Sequence, residues 1–303
     1  LISNYLENKN TSNNRIEEII KLRKEDKKNI YPSYLYDPRT HLIDDKNYWF
    51  SHPSNSEIVF CDEGSGLIKF KTNNIGLREV SLQNLQKEID LIVLGDSYVE
   101  GACVNKPFDI SSQLAKINNN NVLNLGRSGS GPLFQLGLLR EVLAYRDHGK
   151  LNFNKQSKLI WVIFTGNDLI DLSYEKPSIL KNYLQDNYHI NYFKEIELSN
   201  IKFDQFFNIV FKNPYKNKRI GRKGDYLDSG SITELNSLID FGKVFEKIVN
   251  LSRKENFELN IVLLTNHKHK SKDLMQNTED KVNSLCNRFE INCKKIDLKK
   301  INK

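Results

Sequence analysis

No stretch of about 18 consecutive apolar residues occurs in the chain, so no segment reads as a membrane-spanning helix. Cysteines are few. Cys61, Cys103, Cys286 and Cys293 form no Cys-x-x-Cys pair, and the seven-residue step from Cys286 to Cys293 is not a usual zinc spacing. Four cysteines in 303 residues force no disulfide framework and leave the redox compartment open. No histidine and carboxylate cluster has metal-ligand spacing, and no metal or other cofactor is expected. Arginine-rich helices and basic–aromatic repeats are missing as well. The net charge of +7 comes mostly from lysines scattered among asparagine and isoleucine, which describes a solvated surface, so no nucleic-acid partner is expected. The chain starts at Leu1 rather than methionine, and a leader or membrane anchor is expected only outside these residues.

What is present is an ordinary folded composition, with 39% hydrophobic, 27% charged and 10% aromatic residues. Residues 1–80 read as an amino-terminal extension. An amphipathic helical pattern around Ile16, Ile19, Ile20 and Leu22 is followed by loops and a small β-hairpin from Glu57–Cys61 and Gly66–Lys71. The turn at Asn73–Gly76 calls for a positive φ at Gly76. Residues 81–303 alternate strand and helix, the α/β signature. Strands are expected at 89–95, 121–125, 159–165, 259–264 and 291–298. Helices are expected near 107–117 and at 132–147, 231–255 and 273–289, with an insertion at about 169–230. Pro132 suits a first helical position, and Leu133, Leu136, Leu139, Val142 and Leu143 give the helix it opens one apolar face. Right-handed crossovers then predict a three-layer α/β/α sandwich around a flavodoxin-like parallel five-stranded sheet of order 2-1-3-4-5.

Three of those strands end in turns of similar kind: Gly95-Asp96-Ser97, the glycine-rich stretch from Asn124 to Gly129, and Gly166-Asn167-Asp168. In the expected sheet they meet at one carboxyl edge. Ser97 offers a hydroxyl nucleophile. The backbone N–H groups of Ser97 and Gly129 and the side-chain amide of Asn167 supply the donors an oxyanion hole needs.

These blocks resemble those of the SGNH/GDSL hydrolases over roughly residues 89–303, and the TNNIGLREV stretch at 72–80 resembles the lead-in of many bacterial members. The resemblance implies a serine esterase acting on carboxylic esters, O-acetyl esters included, through an acyl-serine on Ser97, with Gly129 and Asn167 as oxyanion donors. Its partner would be a small-molecule or glycan ester. An envelope-glycan O-acyltransferase, or a binding module that kept the fold without the base, are the alternatives. Location stays open, with a periplasmic or envelope setting suspected. The family's closing Asp-x-x-His block has no counterpart in its usual place, and the dyad is expected beyond Lys303. The one formal match, Asp186-Asn187-Tyr188-His189, falls in the insertion. His267 and His269, past the fourth strand, read as surface or substrate-facing. The insertion's Tyr174, Tyr183, Tyr188, Tyr192 and Phe193 read as its own core, with a carbohydrate-lining role as the alternative.

Overall fold

The computed structural model describes residues 19–25, 29–33, 49–62, 67–80, 84–176, 178–195, 205, 232–265 and 272–301. His267, His269 and most of the insertion's second half therefore lie outside the described residues. In the extension, β1 (Ile30–Pro32) runs parallel to β2 (Glu57–Asp62), and β2 pairs antiparallel with β3 (Leu67–Lys71). Ile19, Tyr31, Trp49, Ile58 and Phe70 close a small core over this sheet. Gly76 has φ +74°, as its turn requires.

The main sheet contains β4 (Ile89–Gly95), β5 (Val122–Gly126), β6 (Phe153–Phe164), β7 (Glu258–Thr265) and β8 (Asn292–Asp297), all parallel, in the order β5-β4-β6-β7-β8. This is the expected 2-1-3-4-5 order. Burial follows position. β5 is buried at every residue and β4 at all but one, whereas β8, at the edge, exposes Lys294 and Lys295, charges that discourage pairing with another strand.

Short helix α1 (Ser97–Glu100) follows β4 directly, and α2 (Ile110–Lys116) leads to β5. On the other face lie α3 (Pro132–Asp147), α5 (Ile232–Lys254) and α6 (Lys272–Phe289), with α4 (Asp168–Glu175) between β6 and α5 in the chain and α7 (Leu298–Ile301) after β8. Val93, Val99, Ala115, Val122 and Val162 fill the layer on the α2 side. The larger core on the α3 side is anchored by Trp161, whose ring lies 5.5 Å from Phe245 and 6.0 Å from Phe241. Its buried indole N–H donates to Gln135 Oε1 of α3 at 2.7 Å.

Two expectations need correction. The helix α3 does not bury one face; it is buried all round from Pro132 to Ala144. Its outer side is covered by the 178–195 segment and by Phe50 of the extension, which packs on Phe134, Tyr183 and Tyr192 at 5.1–5.5 Å. Consequently Tyr183, Tyr192 and Phe193 belong to the domain's principal core and not to a separate core of the insertion. The buried Glu141 carboxylate accepts from Tyr183 Oη and the Ile190 and Tyr192 N–H groups, which fixes that segment on α3. The pairing of the cysteines, which the sequence leaves open, is visible in part. Cys286 of α6 and Cys293 of β8 form a disulfide, with Cα atoms 6.3 Å apart, and Cys103 is disulfide-bonded as well.

Candidate active site

Because β5 and β6 flank β4 in parallel, the turns after all three open at the same carboxyl edge. That edge is where ligands bind in open α/β sheets. Ser97 is the first residue of α1. Asp96 caps the helix, accepting from the Tyr98 N–H at 3.0 Å, and is itself buried. Ser97 Oγ reaches Asp96 Oδ2 at 3.5 Å, a contact at the limit of hydrogen bonding. Gly129 has φ +77°, a conformation that a side chain would strain, in the loop between β5 and α3. That loop lies against the serine turn: the Arg127 N–H donates to Gly95 O at 3.1 Å.

Asn167 stands at the N-cap of α4. Its amide Nδ2 donates to Asp171 Oδ2 at 2.7 Å and its side chain also hydrogen-bonds Asp96. The structure thus brings the third turn against the first, but through a carboxylate-bound amide. Asp96, Asp168, Asp171 and Glu175 line the wall behind the turn, all buried. Burial pushes Asp96 up to about 6, against the opposing pull of the Tyr98 N–H, the Ser97 hydroxyl and Asn167. Burial, then the neighbouring Asp96 charge, raises Asp168 well above the usual range. Glu175 is driven to about 8 by burial, although its carboxyl accepts the N–H groups of Gly131, Leu133 and Phe134 and so caps α3.

The sequence reading missed a second buried cluster. Glu100, one turn past Ser97, is 1% exposed. Its Oε1 receives His52 Nε2 at 2.7 Å and Arg127 Nη1 at 3.2 Å. Its Oε2 receives the Ser128 N–H at 2.8 Å and the Ser128 hydroxyl. Burial opposes the Glu100 charge, but the His52 hydrogen bond and the Arg127 and Ser128 donors hold its carboxyl at about 2. Burial, and then the Arg127 charge, lowers His52 to about 4, so its ring is neutral at pH 7. Arg127 Nη1 contacts both ring nitrogens of His52, Nδ1 at 3.0 Å and Nε2 more closely, so the ring is held between Arg127 and the Glu100 carboxylate. The far end of α1 is tied as well. Arg78 donates to the carbonyls of Glu100 (2.9 Å), Gly101 (2.6 Å) and Val104 (2.7 Å), and Asn124 Nδ2 donates to Val99 O at 2.8 Å.

The formal Asp186–His189 match stands at the wrong end. The helix α3 starts at the carboxyl edge and runs back to the amino edge, where His148 caps it and meets Asn191 Oδ1 at 3.1 Å. Asp186 pairs with Lys247, in the second half of α5, at 2.8 Å, and His189 is exposed. The described histidines are therefore committed elsewhere: His52 to Glu100 and Arg127, His148 and His189 to the opposite edge. His41 lies outside the described residues. Among those residues no group of three or more His, Cys, Asp or Glu could hold a metal ion, and no helix is long and apolar enough to cross a membrane.

No family model matches the chain, and no curated protein matches it. Among solved structures, the chain is similar to AlinE4, an SGNH-hydrolase family esterase. The TM-score is 0.34 at 12% identity, over 68% of this chain and 75% of that one. Two point mutants of that esterase, one with an aspartate and one with a serine replaced by alanine, match with TM-scores of 0.35 and 0.33, at 12% and 11% identity over the same shares. A likeness this remote leaves the site to be read from this chain's own sheet and side chains.

Proposed function

We propose that the protein is a serine esterase that cleaves carboxylic esters, O-acetyl esters among them, through an acyl-serine on Ser97. The observation that carries this reading is the position of Ser97 at the end of β4, with the Gly129 and Asn167 turns of both neighbouring strands opening at the same edge. In this reading the Ser97 hydroxyl attacks the ester carbonyl, the Ser97 and Gly129 N–H groups receive the oxyanion, and the carbonyl re-forms as the ester C–O bond breaks and the alcohol leaves with the proton given up by Ser97. The Asn167 amide joins them once it turns from Asp171. Water then releases the acid. The disulfides support an oxidising compartment as the working place.

The test, made on the intact protein, is hydrolysis of short-chain nitrophenyl esters together with mass-spectrometric detection of a fluorophosphonate adduct. Wild type is expected to carry the adduct on Ser97, and Ser97→Ala to lose both adduct and turnover, with a rate drop of at least roughly a thousand-fold. Equal hydrolysis by wild type and Ser97→Ala sinks the assignment.

A further inference from the structure

We propose that Glu100 is a positioning residue that locks the oxyanion loop to the nucleophile helix, with His52 and Arg127 holding its carboxylate in place. The proposal rests on the esterase reading of Ser97 given above.

The argument starts from a mechanical problem. The nucleophile sits on one turn, after β4, and the Gly129 donor on another, after β5. Productive geometry tolerates displacements of only about 0.5 Å. A glycine-rich loop such as Arg127–Gly131 does not hold that tolerance by itself, because glycine leaves the backbone many accessible conformations. Here one carboxylate spans the gap. Glu100 belongs to the same four-residue helix as Ser97, and its Oε2 takes both the N–H and the hydroxyl of Ser128, the residue before Gly129. The adjoining peptide is thus fixed from its amide side, and the direction of the next N–H, that of Gly129, is set with it. The close fit of Gly126 against α1 supplies the second point of contact: a Cβ there would meet the Glu100 N at 2.0 Å.

A buried carboxylate beside an oxyanion hole would ordinarily oppose catalysis, since two negative charges in a low-dielectric site repel. The partners remove that objection. Glu100 is ionised, Arg127 lies 3.2 Å from it, and His52 is neutral, so the trio carries no net charge at pH 7. Oε1 is occupied by these two partners and Oε2 is left for the loop. His52 comes from the amino-terminal extension, 48 residues before Glu100, so the extension takes part in the site's rear wall.

The experiment compares Glu100→Ala, Glu100→Gln and Ser128→Ala with wild type. The kcat is expressed per site titrated by the fluorophosphonate, and folding is followed by near-ultraviolet circular dichroism. Expected is a roughly hundred-fold loss of kcat per titrated site in Glu100→Ala, with KM within about three-fold of wild type, as for a displaced oxyanion donor. The glutamine variant keeps an acceptor for the Ser128 N–H, and its kcat is expected to return to within about ten-fold. Should Glu100→Ala fail to fold, the glutamine and Ser128→Ala variants carry the test, each expected to lower kcat at constant KM. A variant that folds, titrates fewer sites and yet turns over at the wild-type rate per site shows a merely structural role and overturns the proposal. Wild type that is never labelled on Ser97 overturns the esterase reading and the positioning role with it. Labelled wild type with unchanged kcat in the Glu100 and Ser128 variants overturns the positioning role alone.

Discussion

Replacing Gly126 by alanine should damage both the site and the fold, by an amount the structure allows to be worked out. Gly126 ends β5 and faces the backbone of α1. A methyl group there would lie 2.0 Å from the Glu100 N, 2.4 Å from the Val99 C and 2.6 Å from the Glu100 Cα. These are main-chain atoms, which no rotamer change can move. Ordinary contact begins near 3.4 Å, so the helix carrying Ser97 must retreat by about 1.4 Å. The backbone of Gly126 is not the obstacle, because its φ is not positive. A displacement of about 1 Å at a reacting centre costs on the order of a hundred-fold in rate, and overpacking costs about 1–3 kcal/mol of stability. We therefore expect Gly126→Ala to lose roughly two orders of magnitude in kcat per titrated site and to unfold at lower urea. Gly242→Ala in α5 is the matched control. Its added methyl would meet only Lys281, at 3.5 Å, so the usual helix preference for alanine should add about 0.5–1 kcal/mol. A Gly126→Ala protein with wild-type kcat and urea midpoint would refute the claim that α1 is wedged against β5.

Two further outcomes follow from buried polar groups. Gln135→Met preserves the length of the side chain but leaves the Trp161 N–H with no acceptor, and should lower unfolding stability by about 1–3 kcal/mol in urea titration; an unchanged midpoint would mean that the indole finds another partner. Stability should fall as pH rises from about 4.5 to about 8, because Glu175 titrates near 8 in the fold but near 4.5 when exposed, so across that window the unfolded chain has given up a proton that the fold still holds. Asp168, also raised, acts in the same direction. Below about 6.5 His52 opposes the trend, since its lowered value makes the fold lose stability as pH falls toward 4. Glu175→Gln should flatten the upper part of the curve, and a slope equal to that of wild type would contradict this account.

The main sheet was legible because its signals are local. The apolar runs of β4 through β8 and the proline at the head of α3 each speak within a window of a few residues, and parallel crossovers have one hand. The surroundings of α3 were not legible: five leucines and valines on one face gave no sign that Phe50, more than 80 positions earlier, closes the opposite side. Nor could Glu100 be recognised. In the sequence it is a single charged residue shortly after the Gly-Asp-Ser turn, and its partners His52, Arg127 and Ser128 lie in segments read as loops. The Asn167 amide shows the converse case, in which a residue singled out by its motif has a hydrogen bond to Asp171 that the motif does not reveal.

The clamping of α1 has a consequence for the order in which contacts can form. Helix α1 is only four residues long and too short to persist in isolation. What fixes it arrives from sequence separations of 22 (Arg78), 25 (Asn124), 28 (Ser128) and 48 (His52) residues. Each loop must close, at an entropic cost, before its contact returns any stabilisation. The serine turn is thus completed by the chain on both sides of it. On the esterase reading, a covalent label on Ser97 would therefore count the molecules in which the extension, β5 and the glycine-rich loop have all docked, and would gauge complete folding as well as chemistry.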